Sequence, residues 1–215
     1  MPFYEVQHTY PLTRAQKHRF AQAITRLHST TFLTPSLFVN VSFHRLSNPP
    51  PPPPTSTSTS TSTSHGGAGA DAADDEANTY FLAGEPVAHD HAGPNRLLAM
   101  VRTSPARTKA VFDDLAAQLE AEWDQAVGMG AAAAAGTTAR DQAERAAKKM
   151  HFIVFYPMIA ARENGVTIPD AGSESSWLRD NMPFFKAQAY EHHDDNFRKM
   201  VEEIDRRPDL KKLLE

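Results

Sequence analysis

PFYEVQHTYPLTRAQKHRFAQAITRLH, residues 2–28, contains the change of period that decides the fold. FYEVQHTY (Phe3 to Tyr10) reads as a half-buried strand, because successive strand side chains face opposite sides. From Thr13 the period becomes helical. Phe20, Ala23, Ile24, Leu27 and His28 stand at offsets 0, 3, 4, 7 and 8 and form one stripe. Thr13 followed three residues later by Gln16 makes a capping-box pattern at the helix start. LFVNVSFHRL (Leu37 to Leu46) supplies a second strand. The stretch therefore reads as strand, helix, strand.

The same order returns further on. RLLAMVR (Arg96 to Arg102) is strand-like, Ser104 is a candidate N-cap and Pro105 takes the first helical position. Val111, Phe112, Leu115 and Leu119 share a helix face. A short helical stretch (Arg140 to Lys149) precedes the strand HFIVFYPMI (His151 to Ile159). Two such units predict an α+β fold: a duplicated β-α-β chain with a four-stranded sheet and two helices on one face. Within each unit the strands pair parallel through a right-handed crossover. The bare sheet face needs cover, for which oligomerisation is one solution.

Two stretches interrupt the repeat. Residues 47–78 include six consecutive prolines and an alternating Thr/Ser tract, with almost nothing to bury. Residues 128–139 are an Ala/Gly-rich connector. A domain is expected over residues 1–182, followed by a C-terminal helical extension over 183–215 with breaks near Pro183 and Pro208. Phe184, Phe185 and Tyr190 are its candidate docking residues.

Composition narrows the function. The 215 residues are 40% hydrophobic, enough for a sizeable core, and carry a net charge of -4, unlike a dedicated nucleic-acid binder. With no cysteine, disulfides, thiolate metal sites and cysteine nucleophiles are excluded. No apolar run is long enough to span a membrane, and no secretory signal opens the chain. The reading is a soluble cytoplasmic protein with no membrane or nucleic-acid partner. His89, Asp90 and His91 alternate in a Gly/Pro-flanked loop without a third partner at ligand spacing, so no metal site is assigned. HHDD at residues 192–195 reads as a solvated helix face, and no phosphate loop or dinucleotide glycine pattern is present.

Pro2 has two readings. Proline is tolerated at a strand's first position. If Met1 is removed, as it usually is before a small residue, Pro2 also carries a free secondary amine able to take or give a proton. His28, on the apolar stripe, is either a core histidine or a ligand. Arg102 ends a strand just before a helix start, where unpaired N–H groups favour anions. Arg107, placed in that helix's first turn, wants a negative partner. The two arginines are either an anion site or surface residues.

These residues together resemble the tautomerase superfamily, and within it the cis-3-chloroacrylic acid dehalogenase-like family. The matching stretches are PFYEV, LTRAQKHRFAQAITRLH, Arg102, ENG at Glu163 to Gly165, and IPDAGSESSW at Ile168 to Trp177. The resemblance implies a cofactor-independent homotrimeric enzyme acting on a small carboxylate substrate. It implies Pro2 as the proton carrier and Glu163 as water activator or second proton carrier. It implies His28, Arg102 and Arg107 as ligands of the substrate carboxylate. The family's two arginines stand three residues apart; here they are five apart. The family also has a tyrosine on the last strand, in a pattern like WVYF. Here the run is IVFY, so Phe155 holds that place and Tyr156, one residue later, faces the other side. The expected reaction is keto–enol tautomerisation of a 2-keto acid, or hydration or dehalogenation of a 3-halo-acrylate. The alternative is a non-catalytic assembly or binding module.

Overall fold

The computed structural model describes residues 2–46, 80–86, 94–129 and 138–215. All of the insert at 47–78 and most of the connector at 128–139, together with His89, Asp90 and His91, lie outside those residues.

Four strands make the main sheet: β1 (Phe3–His8), β2 (Asn40–Arg45), β5 (Asn95–Val101) and β6 (Met150–Pro157), in the order β2-β1-β5-β6. β1 pairs parallel with β2 and antiparallel with β5, and β5 pairs parallel with β6. Two short hairpins, β3 (Phe81–Leu82) with β4 (Glu85–Pro86) and β7 (Arg162–Glu163) with β8 (Val166–Thr167), lie outside it. The α+β fold of two β-α-β units is therefore as expected.

Strand alternation sorts the core. Tyr4 and Val6 of β1, Leu97, Ala99 and Val101 of β5, and Val41, Phe43, Ile153 and Phe155 all pack in the principal core. That core is covered by α1 (Arg14–Thr31) and α2 (Lys109–Ala126), through Phe20, Ile24, Leu27, Leu115, Leu119 and Trp123. Phe20 and Trp123 meet edge to face at 5.3 Å between ring centroids. The capping box at the start of α1 is present in full, with Thr13 and Gln16 bonding reciprocally. α3 (Ala139–Lys148) has the same device in Thr138 and Asp141.

The second helix begins later than its sequence suggests. Ser104 to Arg107 forms a turn closed by Arg107 N–H donating to the Ser104 carbonyl at 3.0 Å, and α2 starts at Lys109 with Thr108 as cap residue. Arg107 thus precedes the helix instead of occupying its first turn. Likewise Leu37 and Phe38 form a 3₁₀ turn (Ser36–Phe38) ahead of β2, which lets Phe38 leave the sheet.

Phe38 belongs to a second apolar cluster. It is built with Val166, Ile168, Leu178, Phe185, Phe197, Met200, Val201, Ile204 and Leu210. Val166 and Ile168 come from β8 and the residue after it, and the rest from α4 (Glu174–Lys186), α5 (Asp195–Arg206) and α6 (Pro208–Lys211). α4 runs through Pro183 without breaking and passes into a π-helical turn at Ala187–Glu191. The helix tolerates Pro183 because Arg179, whose carbonyl loses its donor, and Pro183 both lie on the exposed face. The chain turns at His192 and His193 instead, and again at Arg207, beside Pro208. Phe185 is fully buried, whereas Phe184 and Tyr190 remain exposed. Among the described residues no helix is long and apolar enough to cross a membrane.

Candidate active site

Pro2 is buried at the start of β1, on the same face as Tyr4 by alternation. Its carbonyl accepts from the Asn40 N–H at 3.2 Å, which fixes the strand's first residue to the start of β2. The Asn40 side-chain amide then donates to Glu163 Oε1 at 2.8 Å. Asn40 therefore bridges two residues far apart in sequence, Pro2 and Glu163.

Glu163 ends β7 in the hairpin Arg162–Thr167. Asn164 and Gly165 take positive φ (47° and 86°), the backbone that a two-residue Asn-Gly turn requires. Glu163 Oε2 is buried and has no hydrogen-bond partner among the described residues. Burial is the largest influence on this carboxyl and pushes its pKa up; the Asn40 bond and the positive amino terminus oppose it. An unpartnered, desolvated carboxyl of this kind is suited to holding or passing a proton.

His28 lies on the buried stripe of α1, and its Nδ1 is 2.8 Å from the Tyr4 hydroxyl. Burial lowers its pKa well below the usual value, and the amino terminus, Arg107 and Arg102 push the same way. The imidazole is therefore neutral near pH 7, a hydrogen-bonding group and not a cation. Burial also raises the Tyr4 phenol far above its ordinary value. His28 stacks obliquely on Phe32 at 4.7 Å between centroids, and the Arg107 guanidinium lies 4.7 Å from the Phe32 ring centre.

Arg102 follows β5 directly. Its Nη1 donates to the carbonyls of Pro169 (2.8 Å) and Asp170 (3.3 Å), and its Nη2 is 3.0 Å from Glu174 Oε1. Arg107 folds back through the Ser104 turn and binds the same Glu174 oxygen. Glu174 Oε2 accepts from the Gly172 N–H at 2.7 Å. Both guanidiniums are about nine-tenths buried (9% and 11% exposed). The two arginines do converge, as their candidate roles require, but on a carboxylate of the chain itself.

Tyr156 lies elsewhere. It pairs with Met100 on the sheet face away from the helices and is 47% exposed. Phe155, the residue before it, faces the core beside Phe112 at 5.0 Å. The site thus comprises two groups, Pro2–Asn40–Glu163 and Arg102–Arg107–Glu174. Tyr4, His28 and Phe32 stand beside them. Tyr4, Phe32, Asn40 and Glu174 were not among the residues singled out from sequence. Of these, only Tyr4 carried a usable signal, its place two residues from Pro2 on the same strand face. Among the described residues no group of three or more His, Asp or Glu side chains is placed to hold a metal.

No protein-family model and no curated protein matches the chain. Among solved structures it is similar to N1, a member of the cis-3-chloroacrylic acid dehalogenase family. Identity is 17%, with 82% of this chain and 90% of that one covered and a TM-score of 0.46. It is also similar to RhCC from Rhodococcus jostii RHA1, at 14% identity, 83% and 96% coverage and a TM-score of 0.45. A third is a fused 4-OT symmetric trimer, at 16% identity, 79% and 98% coverage and a TM-score of 0.41.

Proposed function

We propose that the protein is a cofactor-independent enzyme of the tautomerase superfamily. On this reading the amine of Pro2 moves a proton on a small carboxylic acid. The observation that carries it is the orphaned Glu163 Oε2, held through Asn40 beside the residue that becomes the terminus once Met1 is removed. In the tautomerase reaction, one of Pro2 and Glu163 takes a proton from the carbon next to the keto group. The other delivers one to the keto oxygen, so that the C–H bond breaks as the O–H bond forms and no other reactant is consumed. Hydration or dehalogenation of a 3-halo-acrylate is the second outcome, with Glu163 activating water. Because Phe155 stands where the resembling dehalogenases have a tyrosine, tautomerisation ranks at least level with hydrolysis. Arg102 and Arg107 grip the substrate carboxylate; His28, neutral, adds a hydrogen bond and no charge. The bare sheet face, which carries Phe152 and Tyr156, suits a homotrimer.

One observation favours a second reading, a non-catalytic assembly module: the arginine pair is already bound by Glu174. The intact mass of the natively expressed protein tests the choice. A chain beginning at Pro2 with a free amine supports the enzyme. Retained Met1 or an acetylated Pro2 leaves the Pro2 nitrogen as an amide that cannot carry a proton, and removes it.

A further inference from the structure

Two guanidiniums, each about a tenth exposed, share one carboxylate oxygen. The formal charge of the trio is therefore +1. Desolvation already depresses the Arg102 guanidinium, Arg107 adds repulsion, and Glu174 opposes both. Asp170 also bears on Arg102, but its side chain is exposed, where screening weakens it. A net positive charge in so poorly solvated a place attracts a further anion.

Two members of the trio are reachable from one cavity, and Arg102 stands behind them. Arg107 and Glu174 both line a cavity of about 400 Å³. Its other walls are largely apolar, with Phe32, Leu33, Val111 and Leu213 among them. Leu213 comes from the C-terminal extension, and its carbonyl accepts from the Ser175 hydroxyl at 2.6 Å beside Glu174. A carboxylic acid with an apolar body matches that cavity: its charge end meets Arg107, and its body meets the apolar wall.

We infer that Glu174 is a resident competitor for the arginine pair, and that a carboxylate ligand binds by displacing it, with its apolar part against Phe32, Val111 and Leu213. The inference rests on the proposed carboxylate grip of Arg102 and Arg107. It adds that Glu174 sets the strength of that grip and that the substrate is an aryl or branched aliphatic acid. An intramolecular carboxylate acts at high effective concentration, so it weakens the apparent affinity of any external one.

Calorimetric titration with sodium phenylacetate tests this without turnover, on the full chain. Glu174→Gln keeps the shape and an acceptor for Gly172 but removes the charge. It should bind phenylacetate at least about 10-fold more tightly than the wild type. Acetate should gain less, having no apolar part, and Glu174→Gln combined with Arg107→Gln should lose the gain. Equal or weaker binding by Glu174→Gln overturns the inference and leaves the arginine grip standing. No binding by either protein overturns both. If Glu174→Gln does not fold, Glu174→Asp takes its place. Its shorter side chain no longer reaches both arginines, so it should tighten binding; unchanged affinity there overturns the inference equally.

Discussion

The Asn40 amide donates to Glu163 Oε1 at 2.8 Å and leaves Oε2 of the same carboxyl buried without a partner. A bond to the charged form favours that form, so Asn40 holds the Glu163 pKa lower than burial alone would set it. Asn40→Ala should raise that pKa. If Glu163 is the proton acceptor, the acid-side limb of the pH–rate profile should move to higher pH with it. A carbon-13 titration of the Glu163 carboxyl checks the shift directly, and an unmoved midpoint would remove Asn40 from the charge balance of the site.

His8 gives a stability signature of opposite sign to that of Glu163. Its ring is buried, Nδ1 lies 2.7 Å from the Tyr10 carbonyl, and Nε2 has no partner among the described residues. Burial lowers its pKa below the unfolded value, and His28 is lowered further. Both rings are neutral in the fold and gain protons on unfolding, so their contribution is full above about pH 6.5 and lost as pH falls below it. Glu163, raised, contributes below its unfolded pKa and loses that contribution as pH rises through its folded value. Urea midpoints should therefore drop between pH 7.5 and pH 5.5. His8→Phe should flatten that slope; an identical slope would mean that His8 titrates normally in the fold.

Gly165 tests the hairpin that carries Glu163. Its φ is +86°, and an added Cβ would meet Phe184 Cζ at 3.2 Å. Gly165→Ala should cost about 1–2 kcal/mol, from the left-handed backbone that an L side chain resists. It should also lower turnover by tilting Glu163. Denaturant unfolding measures the first effect and steady-state kinetics the second. Full stability would show that the turn readjusts freely.

The C-terminal extension is tied to the end of α1, beside His28. Arg207 binds the Ser29 hydroxyl and donates to the Ser29 carbonyl at 3.2 Å, while pairing with Glu203 and Asp209. Glu203 in turn accepts from the Ser36 N–H at 3.0 Å and hydroxyl at 2.8 Å. Arg207→Ala should cost about 1–3 kcal/mol, because Glu203 and Ser29 lose a charged partner. Hydrogen exchange should rise across α5 and α6 first. Uniform exchange over the whole chain would mean that the extension and the sheet unfold as one unit.

How much of this was legible varies with the range of the interaction. The stripe from Phe20 to His28 and the Thr13–Gln16 box are set by neighbours within two turns, so α1 could be read outright. Ser104 and Pro105 misled because the same pair suits a turn. In the turn Arg107 also reaches Glu174, 67 residues on, and no local period records that contact. The hairpin at Glu163 had its signal in Asn164–Gly165, but its two-residue strands are too short to alternate visibly. Phe155 and Tyr156 were sorted correctly onto opposite faces, since alternation alone settles that. Pro183 was read as a break because a proline's tolerance depends on whether the freed carbonyl meets water, a property of packing.

Pro2 itself is tested most directly by kinetics of the mature protein with phenylpyruvate, wild type against Pro2→Ala. If the Pro2 amine carries the proton, kcat/KM should fall by roughly 10²–10⁴-fold while the unfolding midpoint stays in place. An unchanged kcat/KM in a folded Pro2→Ala protein would contradict it.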